Sequence, residues 1–574
     1  MNYWSGVNAV GSINFNGTVT GLGLADFLTG NAVSFNQGTN YGMRLRQYYY
    51  ALYLQDSWKV ARTFTLNYGL RWEPYLSNEN ITGQVNHFDQ ALFDRGFQSK
   101  IMLNAPKGLA FAGDLEYPCG NKYNCDSWGK FFPRVGFAWD PTGGGKMTIR
   151  AAYGLFGDRL HQFFPNQMSF GPPNGISVTL SNVNMSNPWA NYPGGDPVPR
   201  LVGYNPTLVH ASPNAEFPTS GAYVRFNQDD YKPMYVHQWN LSVQRQIGTW
   251  LLTANYIGNS SIHLGTSEPG NPAKFLGLGS CTLQIADPSG TVAPRTFPVC
   301  STTANQNQRR LLYLQNPAAG QYYSGIGFYD PGGTASYHGL YLSVNSRLGK
   351  NVSILANYTW SHCISDIYDQ QTGSGGVSPF NNRRGGRSNC AGADRRQVFN
   401  ASVVAESPRF ERTWVRRAAS GWQVAPIVTI RSAQFFSIVP GTDRALTTEP
   451  AQTVNLVQPD GIYPANQSVN QWINTAAFGL PALGTYGNLG LNNLKGPGSV
   501  QINLALSRNF TVREGWSLQL RGEAFNLPNH LNAAVPVNSM ASSTFGQILS
   551  DVSGNNGLNP GNQRILQIVA KLVF

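Results

Sequence analysis

The sequence predicts an all-β fold, a transmembrane antiparallel β-barrel wall whose strands cross a bilayer and carry long extracellular loops. Three observations predict it. Apolar and polar residues alternate in runs of about ten, the connections between runs are short and long in turn, and all three near-neighbour cysteine pairs fall in the long connections.

Composition sets the frame. Sixty-two Gly, 35 Pro, 12% aromatic and only 12% charged residues describe a turn-rich chain with few exposed helices. No uninterrupted apolar run approaches the eighteen or so residues that a spanning helix needs, so a bundle of membrane helices is excluded. The residues at Met1 to Gly6 lack the basic start, apolar stretch and cleavage site of a secretory signal.

The clearest strand covers residues 63–73. Phe64, Leu66, Tyr68, Leu70 and Trp72 take one face, and Thr65, Asn67, Gly69, Arg71 and Glu73 take the other. An apolar face ending in an aromatic, backed by a polar face, fits lipid outside and water or a filled lumen inside. Similar alternation recurs at 147–157, 235–246, 250–258, 340–347, 352–360, 500–507 and 516–525. Weaker candidates lie at 10–20, 48–60, 133–140, 397–405 and 421–431. With the terminal segment 565–574 the total is about fourteen strands.

A soluble sandwich shows the same local alternation, so the connections decide. Short links follow Val60, Asp140, Gln246, Arg347 and Ser507; long ones span roughly 74–132, 158–233, 259–336, 362–396, 432–498 and 526–562. Structureless stretches of that size are uncommon in compact soluble domains and ordinary on the outer rim of a membrane barrel. If Phe574 lies at the periplasmic end, every long link falls outside. The basic link 406–420 is long for a periplasmic turn.

The six cysteines group as Cys119 with Cys125, Cys281 with Cys300, and Cys363 with Cys390. No CxxC and no zinc-finger spacing occurs, so disulfides of an oxidising compartment are expected rather than a metal. Neighbour pairing suits the loops, although spacing alone leaves connectivity open.

The net charge of +12 is mild over 574 residues. Its densest stretch, Arg383, Arg384, Arg387, Arg395 and Arg396, sits among Gly, Asn and Ser without a helical or aromatic pattern, so a solvated loop is expected and nucleic acid is not a partner. Gly143-Gly144-Gly145-Lys146 resembles half of a phosphate loop, yet Met147 stands where a Ser or Thr should hold magnesium, and a hairpin turn explains it better. His362 beside Cys363 with Asp366 is read as a loop disulfide rather than a nucleophile and base. Asp229, Asp230, Asp366 and Asp369 lack calcium-loop spacing. No catalytic motif is present, so the chain is expected to be neither an enzyme nor a holder of metal or cofactor.

The stretch YYYALYLQDSWKVARTFTLNYGLRWE at 48–73 resembles TonB-dependent receptors of the Oar-like type. Further matches are Ala25-Asp26-Phe27-Leu28-Thr29-Gly30, Phe132-Pro133-Arg134-Val135-Gly136-Phe137-Ala138-Trp139, Gln238-Trp239-Asn240-Leu241-Ser242-Val243-Gln244-Arg245 and Ala356-Asn357-Tyr358-Thr359-Trp360-Ser361. Asp394-Arg395-Arg396 and Arg521-Gly522-Glu523-Ala524-Phe525-Asn526-Leu527-Pro528-Asn529-His530 also look like the family.

The resemblance implies a barrel of twenty-two strands with a plug, so residues 1–574 are expected to be the C-terminal portion of the barrel, with about fourteen strands and no plug. Phe574 is similar to the terminal aromatic that the barrel-assembly machinery recognises. The implied location is the bacterial outer membrane, in contact with lipid and lipopolysaccharide. The implied function is uptake of a scarce ligand (siderophore, glycan or peptide), with the TonB complex as partner only if a plug is supplied by other sequence. Asn67, Arg71, Arg150, Gln238, Asn240, Asn345 and Arg521 are the expected lumen-facing residues. The competing readings are a secreted or surface-displayed β-rich binding protein and a nonfunctional barrel remnant.

Overall fold

The computed structural model describes the chain apart from residues 1, 7–9, 18, 39, 160–170, 176, 191, 193–194, 197–212, 227–230, 350, 367–381, 391, 450 and 553–562. Its main sheet is a meander of thirteen strands. In chain order these are β1 (Leu52–Ala61), β2 (Phe64–Trp72), β3 (Phe131–Trp139), β4 (Met147–Gly157), β5 (Tyr235–Ile247), β6 (Trp250–Pro269), β7 (Tyr323–Leu348), β8 (Val352–Ser365), β9 (Gln397–Glu406), β10 (Trp422–Arg431), β11 (Ser499–Arg513), β12 (Trp516–Phe525) and β13 (Ile565–Val573). Each pairs antiparallel with its neighbour in sequence, and sheet order follows chain order from β1 to β13.

Thirteen of the fourteen expected strands lie in this wall, and the segment 10–20 does not. Only Ser12–Asn14 is extended there, and it pairs with Asn31–Gly38 in a separate three-stranded sheet with Ser177–Asn184. The cause is local: Gly11 and Gly17 both take positive φ, 80° and 85°, which breaks the pleat, and Val10 is 99% exposed.

The links sort onto two rims. The described residues of 62–63, 140–146, 248–249, 349–351, 407–421 and 514–515 form one; those of 73–130, 158–234, 270–322, 366–396, 432–498 and 526–564 form the other. The link 407–421 contains a short helix, Thr413–Ala419, whose last carbonyls are met from the wall: Trp422 Nε1 donates to Ala418 O at 2.8 Å and Arg508 Nη1 to the same oxygen at 3.2 Å.

The half phosphate loop is a turn. Asp140 Oδ1 accepts from Thr142 N at 3.1 Å and Gly143 N at 3.0 Å, and Oδ2 from Gly145 N at 2.7 Å. The amides that would cradle a phosphate are taken by the chain's own carboxylate.

β6 and β7 outrun the expectation, at 20 and 26 residues. About ten residues cross a bilayer, so these two strands continue as a paired extension beyond the long-link rim. Register shifts at Ile262, Leu264 and Thr266 let them bend. Gly221–Phe226 joins the extension by pairing parallel with β7.

The packed cores lie in the long links rather than in the wall. Tyr75, Val85, Leu92, Tyr117, Tyr123 and Tyr231 meet Tyr329 of β7, and Phe88, Phe93, Leu109 and Leu312 meet Tyr323 and Ile326 of the same strand. A third cluster joins Phe436, Ile438, Val454, Ile473, Phe478 and Leu494, with Met540 and Phe545 against it. The outer links are thus folded units. Arg309, fully buried, fastens two of them: Nη1 donates to Lys274 O at 2.5 Å and Leu446 O at 2.9 Å, Nη2 to Thr302 O at 2.8 Å, and Nε to Asn305 Oδ1 at 3.0 Å.

Candidate functional site: the polar face of the wall

Strand pairing fixes which side chains share a face, because directly opposed residues point the same way. Trp58 pairs with Leu66 and Leu66 with Phe137. Phe137 pairs with Ala151, Ala151 with Leu241 and Leu241 with Tyr256. The same apolar face runs through Leu340, Trp360, Val428, Ile502, Ala524 and Leu566 to β13. It is ringed by aromatics at both ends, with Trp58, Phe64, Trp139, Trp250, Trp422 and Trp516 near the short links and Trp72, Phe131, Trp239 and Trp360 toward the long ones. Phe574 stacks on Trp516 at 5.2 Å, at the short-link rim.

The opposite face carries all seven residues expected to line a lumen. Asn67 and Arg71 of β2, Arg150 of β4, and Gln238 and Asn240 of β5 come together around one cavity of about 1150 Å³. Asn345 of β7, opposite Leu251, and Arg521 of β12, opposite Ser507, share the face but stand outside that cavity. Arg71 pairs with Glu73 at 2.5 Å and donates to Tyr49 Oη at 2.8 Å, and Arg521 pairs with Glu523 at 2.5 Å.

Arg134 of β3, not among the residues expected from the sequence, lines the same cavity with its guanidinium 4.3 Å from the Phe156 ring centroid. The signal was present: Arg134 alternates with Phe131, Pro133 and Val135. The only acid lining the cavity, Asp56, belongs to the apolar face, where its Oδ2 accepts from Tyr68 Oη at 3.0 Å.

Small residues floor the cavity. Gly69 stands opposite Arg134, Gly136 opposite Ala152, and Gly154 opposite Arg134 on its other side. A Cβ on Gly69 would come within 2.9 Å of Leu54 O, and one on Gly136 within 3.0 Å of Ala151 O. Close strand approach accounts for both glycines.

On the outer links, Cys119 is bonded to Cys125, Cys281 to Cys300 and Cys363 to Cys390. The Cys363 thiol is thereby consumed, and Asp366 accepts from Thr334 N at 2.6 Å and Thr334 Oγ1 at 2.9 Å, so His362, Cys363 and Asp366 form no reactive set. Asp229, Asp230 and Asp369 lie outside the described residues. In the basic stretch, Arg383 bridges Asp330 and Asp366, Arg396 pairs with Asp394 at 3.0 Å, and Arg395 donates to Ser432 O at 2.9 Å. Among the described residues no cluster of three potential metal ligands occurs.

The sequence model of the outer membrane beta barrel domain family matches residues 1–567. The chain belongs to this family. As an outer membrane β-barrel protein it resides in the bacterial outer membrane, which makes the apolar face with its two aromatic rings the lipid-facing one. Curated proteins give no match. Among solved structures, the barrel chain is similar to the siderophore receptor PirA from Acinetobacter baumannii, at 10% identity and a TM-score of 0.39, over 93% of this chain and 46% of that one. It is also similar to the outer membrane transporter YddB from Escherichia coli, at 10% identity and a TM-score of 0.42, over 95% and 54%. A third is the ferric-catecholate import receptor Fiu from Escherichia coli K12, at 11% identity and a TM-score of 0.36, over 94% and 45%. The chain spans about half the length of these structures.

Proposed function

We propose that this chain is the C-terminal part of the barrel wall of a TonB-dependent receptor that takes up a scarce ligand, a siderophore, glycan or peptide, and that further strands of a longer receptor complete the barrel. The observation that carries this reading is the open meander. Among the described residues β1 and β13 each pair on one side only, and unpaired strand edges are not tolerated in hydrocarbon. Both edge strands run from the long-link rim to the short-link rim. Joining them directly would make a parallel pair, so antiparallel closure needs an odd number of added strands. A barrel of twenty-two strands supplies nine, which agrees with that parity.

In this reading the wall and its outer links contribute ligand capture and enclosure, the polar face meets whatever fills the lumen, and Phe574 presents the terminal aromatic to the assembly machinery. Coupling to TonB belongs to a plug carried by the other sequence. The test is to read the genomic DNA upstream of Met1. The expected result is an in-frame segment encoding a signal peptide, a plug and nine alternating strands. An unrelated sequence or a stop codon there would leave a barrel remnant and remove the transport function.

A further inference from the structure

The cavity on the polar face of β1 to β6 holds two guanidiniums that no carboxylate pairs with among the described residues. Arg134 and Arg150 both line it. Among the described residues neither has a carboxylate within ion-pair distance: Arg134 rests on the Phe156 ring, and Arg150 donates only to Gln244 Oε1, at a long 3.4 Å. Arg150 stands opposite Ala138, four residues along β3 from Arg134, so the two backbone positions lie about 13 Å apart along the strand direction. Between them the floor is the opposed pair Gly136 and Ala152, which leaves room for an extended occupant.

A guanidinium held in a fixed fork recognises a planar anion through paired N–H donors. Of the other polar residues of the cavity, Arg71 is paired with Glu73 and Asp56 belongs to the apolar face, while Asn67, Gln238 and Asn240 supply donors and acceptors but no charge. Resting on the proposed lumen reading, we infer that this trough is a seat for a carboxylate-bearing occupant, with Arg134 and Arg150 each taking one carboxylate. The same chemistry comes from two sources: acidic side chains of a polypeptide segment filling the lumen, or a free carboxylate solute.

The experiment uses this chain within the barrel completed by the further strands, folded into phosphatidylcholine vesicles, and a fluorescent extended peptide with acetylated and amidated termini, Asp-Gly-Ser-Gly-Asp, with the equally blocked Asn-Gly-Ser-Gly-Asn as its uncharged twin. The acidic peptide is expected to bind and the amide twin not. Arg134→Gln and Arg150→Gln should each weaken binding about tenfold, whereas Arg412→Gln, in the link 407–421, should leave it unchanged. Displacement by free succinate would assign the seat to solutes, and resistance to succinate would assign it to a polypeptide. Equal binding of the two peptides, or variants that bind like the parent, would overturn the inference. Strand content and vesicle incorporation separate the two failures: a completed barrel that inserts but does not discriminate refutes the seat alone, and the lack of any sequence that completes the barrel refutes the lumen reading and the seat with it.

Discussion

Arg309 holds the outer links together through carbonyl and amide oxygens, with no ion pair among the described residues. Arg309→Met would remove those donors and strand buried carbonyls of both links. The expected cost is about 3 kcal/mol, seen as faster proteolysis within 270–322 and 432–498 and unchanged cleavage of the wall. Its neighbour Arg310 is pushed down to about 10, first by burial and then by the Arg309 charge. Neither role was legible in the sequence, where Gln308-Arg309-Arg310 looks like a solvated basic run, because burial between two links decides it, with Leu446 O coming from 137 residues away.

Asp140 was legible, since a carboxylate ahead of three glycines is turn chemistry. The Gly145 amide, followed by Thr142, holds its carboxyl below the usual range. A depressed carboxylate contributes stability that is complete above its unfolded value, about 3.9, and is lost as pH falls through the lower folded value. Amide exchange at Gly143 and Gly145 should therefore accelerate only in strong acid. In Asp140→Asn it should be fast already at pH 7.

At the scale of elements, the register assigns each strand residue a side, and substitutions test it in pairs. Leu70→Arg, on the apolar face, should cost about 2 kcal/mol of assembly free energy, measured by urea unfolding in vesicles, whereas Asn67→Arg, on the polar face, should cost little. Reducing Cys281–Cys300, which closes a separation of 19 residues, should release about 3 kcal/mol of loop-closure stabilisation. The hairpin of Cys281–Ala286 and Val292–Phe297 would then become protease-sensitive while the wall stays intact. Strands of ordinary length were legible because period-two patterning persists along them. The outer halves of β6 and β7 were not, since Asp330-Pro331-Gly332-Gly333 reads as a breaker although the chain stays extended through it. Pairing with the other strand and burial of Tyr323, Ile326 and Tyr329 in the link cores override that local signal.

For the molecule as a whole, the usual arrangement of apolar burial is divided in two. The links bury their apolar side chains against each other, while the wall leaves its own outward, with Leu54 80% and Ile568 89% exposed on the two edge strands. Lipid supplies the missing environment across the wall, and neighbouring strands must supply it at the edges. The barrel architecture and the polar face were readable from alternation and from the rhythm of the links. The cavity between Arg71, Arg134 and Arg150 was only partly so, because it depends on which strands are neighbours and on the small residues that face each other across them. The most direct test is a cysteine scan through residues 64–72 in outer-membrane vesicles, feasible because all six native cysteines are disulfide-bonded. Environment-sensitive labels at 64, 66, 68, 70 and 72 should respond to a lipid-borne quencher and those at 65, 67 and 71 to a water-soluble one, with Gly69 left unchanged. Loss of the two-residue period, or its reversal, would contradict a wall with lipid on its apolar face.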